Sequence, residues 1–240
     1  MTATSNRRTA MSNASKGRRG GEGREKRRGT GRTIRGRQTR AQLLESAKKI
    51  FERDGFIHAR IADICDAAGV SHGSFYTYFV SKEEIFKEVA DSVEVDLLTL
   101  GPAPDDADPI ERIRTANEHY LTAYRANAKL MRVIQQVSTI DAEVRATRLQ
   151  RQEAFARAIE RRIRQLQETE VADPEVDAVY AAQALGGMVA SFADYLFNTG
   201  NAFGFDLATA TDQLTRIWIN AVGIRPGVAD RAADRAAPAG

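Results

Sequence analysis

From Leu43 to Val222 the apolar residues of this chain recur every three or four positions, and no run alternates apolar with polar residues long enough to require a strand. Side chains spaced that way fall on one face of an α-helix and must be buried against other helices. The spacing therefore predicts an all-α fold, and no repeat of 20 to 50 residues divides it into an array.

Start and stop signals place the helices. Thr39 with Gln42 fits a capping box, after which Leu43, Leu44, Ala47, Ile50 and Phe51 trace one stripe until Asp54-Gly55 closes it. Ile61, Ile64 and Ala68 make a short helix that stops at Gly69, and Ser71 can cap the next. Ser81 and Glu84 form a second box, and Ile85, Phe86, Val89, Val93, Leu97 and Leu100 follow on one face as far as the sequence GPAP. Beyond Asp108 the pattern predicts a helix from Ile110 to Asn127, a short piece from Leu130 to Val137, and a charged helix from about Asp141 to Glu170. Asp173-Pro174, a cap followed by proline, opens an apolar helix to Phe197, and a last one spans Asp206 to Val222.

Charge is distributed unevenly. Residues 1–40 hold 13 Lys and Arg against 2 Asp and Glu, while the remainder holds 22 against 30. The high isoelectric point thus belongs to a glycine-rich basic arm without apolar period, expected to be disordered and suited to a polyanion. The expected organisation is a disordered arm over 1–34, a first helical domain over 35–100, a second over 101–225 and a disordered tail over 226–240. One cysteine, Cys65, cannot form an internal disulfide and reads as a small core residue. The longest apolar stretch, Ala178 to Ala193, is too short for a bilayer span. A cytoplasmic protein without membrane contact is the expectation.

The stretch GVSHGSFYTYF, Gly69 to Phe79, sorts into two sides when wound into a helix capped by Ser71. Phe75 and Phe79 share a face and point into the core. Gly73, Ser74 and Thr77 lie opposite, with Tyr76 and Tyr78 projecting to either side and His72 in the first turn. A ridge of small residues flanked by phenols suits the major groove of DNA, which offers phosphate walls, base edges and thymine methyls. Placed after a tight turn, such a helix is the second element of a helix-turn-helix, with the motif at about residues 60–79. A helical hairpin packed on its neighbours would account for the same spacing.

Residues 37–97 resemble the DNA-binding domain of the TetR family (also called TetR/AcrR) of bacterial transcriptional regulators. The resemblance rests on Ile50-Phe51, Gly55, Asp63-Ile64, Ala68-Gly69-Val70-Ser71, Gly73, Tyr76, Tyr78-Phe79 and Ser81-Lys82-Glu83-Glu84. It implies a three-helix DNA-binding domain followed by a helical effector-binding and dimerisation domain. By position it implies that His72, Gly73 and Ser74 approach base edges, that Tyr76 touches a phosphate or a thymine methyl, and that Tyr78 touches a phosphate. Lys82, at the positive start of a helix, would meet another phosphate. Where many relatives carry Thr-Thr, this chain has Ala59-Arg60, so that Arg60 either takes over a phosphate contact or is simply exposed.

The second half offers weaker signals. Asn117 interrupts the stripe Ile110, Ile113, Tyr120, Leu121 and Tyr124, and a buried amide needs a partner. A small-molecule pocket lined by Asn117, Tyr120, Tyr124, Met131, Ile134, Phe155, Tyr180, Gln183, Met188 and Phe192 would be mostly apolar with few polar anchors. Each of these residues could equally be ordinary core. Gly186, Gly187, Ala190, Leu207, Leu214 and Trp218, on the last two helices, match the pair that builds a four-helix dimer interface in the family. A homodimer of this kind would read a palindromic operator with recognition helices one DNA turn apart, about 34 Å.

The leading expectation is a ligand-responsive repressor. The alternative is a DNA-bound scaffold whose second half docks a protein. Nothing in the sequence pairs a nucleophile with a base, clusters metal ligands or cradles a phosphate on a strand, so no catalytic residue, metal or cofactor is assigned.

Overall fold

The computed structural model describes residues 34–99 and 108–224. The basic arm ahead of them, the GPAP segment and the tail expected at 226–240 lie outside the described residues. Eight helices and no strand occur among them. In chain order these are α1 (Ile34–His58), α2 (Ile61–Ala68), α3 (His72–Tyr78), α4 (Lys82–Leu98), α5 (Pro109–Ile140), α6 (Ala142–Glu168), α7 (Ala178–Phe197) and α8 (Leu207–Ala221). None of the described helices is long and apolar enough to cross a membrane.

Most caps stand where the sequence puts them. Ser71 accepts from the Ser74 amide and Ser81 from the Glu84 amide, both at 3.2 Å. The Glu84 carboxylate closes the second box onto Val80 rather than onto the cap residue. Gly69, at φ 65°, ends α2 in the left-handed region that only glycine enters freely.

Four expectations are corrected. Thr39 caps nothing: α1 begins at Ile34, and the Thr39 hydroxyl bonds the Arg35 carbonyl one turn back at 3.1 Å. Gly55, at φ 72° and ψ 172°, kinks α1 instead of ending it, and one further turn runs to His58. The two pieces expected between Ile110 and Val137 are one helix, because Asn127 between them donates to the Ala123 carbonyl at 2.8 Å and accepts from Lys48 at 2.6 Å. Lastly, Asp173 caps only a turn, through the Glu175 amide, whereas Asp177 caps α7 through Val179 and Tyr180.

Helix α5 is the axis, touching α1, α4, α6, α7 and α8, and one apolar core runs from Leu43 to Ile224. In the first half of the chain this core is aromatic. Phe51 meets Phe86 edge-on at 5.1 Å, Phe56 lies 4.8 Å from Phe86, and Phe75 and Phe79 are 5.7 Å apart. Such pairs add to the area-proportional gain of burying large rings. Farther along, α4 is fastened to α6 by Glu94, which is buried and accepts from Arg151 at 2.8 Å with Arg148 at 3.8 Å. Burial pushes the Glu94 carboxyl above its usual value, and the two guanidiniums only partly offset this.

Candidate nucleic-acid interface and interior cavity

Helix α3 presents the division that its spacing implies. Phe75 and Phe79 are wholly buried, and the Arg40 guanidinium lies 5.1 Å above the Phe79 ring. Ser71, His72, Gly73 and Tyr76 are exposed, with the His72 and Tyr76 rings 5.5 Å apart. Nothing lies within 4 Å of where a Cβ on Gly73 would stand, so this side of the helix is bare. Ser74 and Thr77 are half-exposed, the Thr77 hydroxyl resting 3.4 Å from the Gly73 carbonyl. Tyr78 is half-buried, its ring packed on the core.

The Lys82 ammonium is engaged within the protein. It donates to the carbonyls of Phe56, Ile57 and Ala59 at 2.8, 3.3 and 3.0 Å and lies 4.6 Å from the Phe56 ring centroid. An ammonium has three protons, and here all three are used on the carbonyls left open at the end of α1. Lys82 therefore ties α4 to α1. Arg60 projects outward, 77% exposed, and forms a two-pronged pair with Asp63 at 2.9 and 3.1 Å. Cys65 is buried, and its thiol is pushed up by burial and by Asp66, an environment opposite to that of a reactive thiolate.

In the second half, α5, α6, α7 and α8 enclose a cavity of about 330 Å³. Its walls include Ile113, Asn117, Tyr120, Phe155, Ile159, Ile163, Leu166, Gly186, Val189, Trp218 and Val222, together with Pro109, Arg112 and Arg162. Asn117 is buried and donates to the Thr215 hydroxyl at 3.2 Å, which donates in turn to the Thr211 carbonyl at 2.8 Å. Burial pushes the Tyr120 hydroxyl up to about 12, so it keeps its proton.

Of the ten residues expected to line a pocket, Asn117, Tyr120 and Phe155 do so. Met131 and Ile134 are core, since α5 rises about 1.5 Å per residue and its later turns lie beyond the cavity. Tyr124 is buried, its hydroxyl 2.8 Å from Asp194. Met188 and Phe192 pack on the core away from the cavity, Gln183 is exposed, and Tyr180 is 78% exposed on the opposite face of α7 from Val189. Two residues expected at a dimer interface face inward instead: Gly186 and Trp218 line the cavity. Leu214 is likewise buried, whereas Gly187 is exposed and Ala190 and Leu207 are half-exposed.

Apart from Phe155, the wall supplied by α6 lies outside the pocket lining expected above, although its spacing is legible. Phe155, Ile159, Ile163 and Leu166 follow one another at helical spacing within a segment otherwise dominated by charge. The two arginines gave no such signal, because a charge in a charged helix is ordinarily solvated.

Residues 43–89 match the family model of bacterial regulatory proteins of the tetR family. The match shows a TetR-type DNA-binding domain in this chain. It is 32% identical over 80 residues to the HTH-type transcriptional regulator TtgR of Pseudomonas putida, which covers 32% of this chain and 38% of that protein. The chain thus spans less than half the length of the curated relatives it matches. In three dimensions it is similar to Salmonella enterica GusR, with a TM-score of 0.66 at 18% identity over 80% of this chain and 99% of that one. It is also similar to the TetR-family regulator PfmR of Thermus thermophilus, with a TM-score of 0.60 at 23% identity over 74% and 97%. Beyond the matched domain, the likeness to these solved structures is one of fold.

Proposed function

We propose that this chain is a homodimeric, cytoplasmic transcriptional repressor of the TetR family, released from a palindromic operator by a small, largely apolar effector. The observation that carries the reading is α3, whose buried Phe75 and Phe79 hold an exposed edge of His72, Gly73 and Tyr76 at fixed orientation. That edge is the part of a recognition helix that enters the major groove. Arg60 and the half-exposed Ser74, Thr77 and Tyr78 flank it and would contact phosphates.

The cavity supports an effector over a docked protein, because it is a ready concave site with few polar groups. Helix α4 joins the two regions. One end is tied to α1 by Lys82 and the other to α6, a cavity wall, by Glu94. An occupant that displaces α6 would bias the position of α3 through this helix. Dimerisation would use the exposed stripe of Tyr180, Gln183, Gly187 and Ser191 on α7 with Ile217 on α8.

Genome-wide mapping of bound sites, followed by binding to a recovered site in vitro, tests the reading. Recovery of a two-fold symmetric sequence supports it, and salt-dependent binding without sequence preference sinks it. Removing residues 1–34 should lower affinity and flatten the salt dependence if the basic arm contributes phosphate contacts.

A further inference from the structure

We propose that the cavity takes a neutral, two-ring apolar molecule carrying one hydroxyl, which donates to the Asn117 side-chain carbonyl and accepts from the Tyr120 hydroxyl. The inference deepens the effector reading above and rests on it.

The polar atoms of the wall come first. Thr215 spends its only hydroxyl proton on the Thr211 carbonyl at 2.8 Å, so towards Asn117 its oxygen can only accept. This turns the Asn117 amide nitrogen to Thr215, at 3.2 Å, and leaves the amide oxygen on the other side. That oxygen accepts nothing among the described residues, and the Tyr120 hydroxyl makes no hydrogen bond there either. Among the same residues, the Tyr195 hydroxyl is the one side-chain polar atom enclosed without a partner. The two open groups are therefore not sealed in by protein, and the space that both residues border is the cavity. Asn117 and Tyr120 stand one turn apart on the same face of α5, close enough for one small head group to reach both.

Two missing partners of opposite kind define that head. An amide oxygen only accepts, whereas a tyrosine hydroxyl that keeps its proton can donate. A ligand hydroxyl answers both at once, an ether answers only Tyr120, and a hydrocarbon answers neither.

The rest of the wall defines the body. Tyr120, Phe155 and Trp218 supply rings, and Ile159, Ile163 and Val189 supply hydrocarbon. An apolar cavity of about 150 Å³ holds one benzene. The cavity here, about 330 Å³, has room for two fused rings. No carboxylate lines it, Arg112 already has a partner, and Arg162 is exposed and donates to Gln165 at 3.3 Å. A charged head would lose its water without an unengaged buried counter-charge to meet it.

The test uses the full chain with naphthalene, 2-methoxynaphthalene, 2-naphthol and 2-naphthoate, read by equilibrium dialysis at pH 7. The naphthol should bind most tightly and the naphthoate most weakly. Tyr120→Phe, which removes only the hydroxyl, should lower affinity about fivefold or more for both the naphthol and the methoxy compound. Asn117→Leu should lower it as much for the naphthol alone. Naphthalene should respond to neither substitution. Val189→Trp and Ala116→Phe, two ways of filling the cavity, should abolish binding of the neutral compounds. The head-group assignment is overturned if either Tyr120→Phe or Asn117→Leu leaves naphthol affinity unchanged or weakens naphthalene equally, or if the naphthoate binds more tightly than the naphthol. Loss of binding in the filled variants would then still leave the cavity as an effector site. Binding that survives both filling substitutions, or no binding at all, would overturn the cavity reading together with the proposal.

Discussion

Helices α3 and α6 both lay an apolar stripe against the core, but what lies beneath them differs. Phe75 and Phe79, on the inner side of α3 and at its end, have no exposed surface, and neither do Phe51 and Phe86 in the same core. Under α6 the stripe of Phe155, Ile159 and Ile163 borders about 330 Å³ of unfilled volume. A helix whose working face points outward has to be held rigidly from behind, and close-packed aromatics do this. A helix whose working face points inward has to leave packing undone, forgoing contacts that only an occupant can restore.

Substitutions can break or sharpen this contrast. The largest effect is expected from Phe75→Ala, which should cost about 3–5 kcal/mol in denaturant unfolding and abolish DNA binding with it, since no cavity is tolerated behind α3. Removal of the same number of atoms at Phe155, on the hollow side, should cost distinctly less.

Lys82→Met comes next. Three carbonyls lose their donor, and about 1–3 kcal/mol of stability should go with them. The slope of log affinity against log salt should not change; a slope reduced by about 1 would mean that Lys82 meets a phosphate after all.

Tyr76→Ala should reverse that pattern. The ring is 39% exposed, so stability should stay within about 0.5 kcal/mol, while operator affinity falls about tenfold or more by fluorescence anisotropy.

On the hollow side, Gly186→Ala should stabilise the protein by about 0.5–1 kcal/mol in thermal unfolding. Its new Cβ would stand 3.8 Å from Ile159 Cδ1, an ordinary contact, and helical glycine is a poor helix former.

The smallest effect concerns pH. Burial raises the Asp194 carboxyl, but hydrogen bonds from Asn198, Tyr124, Gln135 and Thr199 outweigh it and hold the group below its ordinary 3.8. A depressed carboxylate contributes stability above its unfolded value and loses it as pH falls through the folded one. Asp194→Asn should therefore flatten the decline in melting temperature on the acid side of pH 4.

The same contrast explains what the sequence could reveal. Around α3 each local rule points one way: Ser71 caps, Gly69 turns, Phe75 and Phe79 repeat at i and i+4, and helix and motif follow together. The TetR resemblance adds positions to a picture the residues already support. Around the cavity no rule distinguishes a side chain that lines empty space from one that fills it. Tyr124 and Tyr120 are adjacent on one stripe, yet only Tyr120 reaches the void, and that choice is made by how four helices meet. Lys82 illustrates a related point. A lysine at a helix start matches an anion site by position, but the open carbonyls at the end of α1 reach it first.

That tie gives Lys82 a second use as a chemical clock. An amine enclosed by backbone oxygens is shielded from acylating reagents, whereas Lys49, with a side chain 68% exposed, is open to them. Labelling the folded protein should modify Lys49 early and Lys82 late. As denaturant rises, the point at which Lys82 begins to react would record when α4 lets go of α1, separately from the melting of any helix.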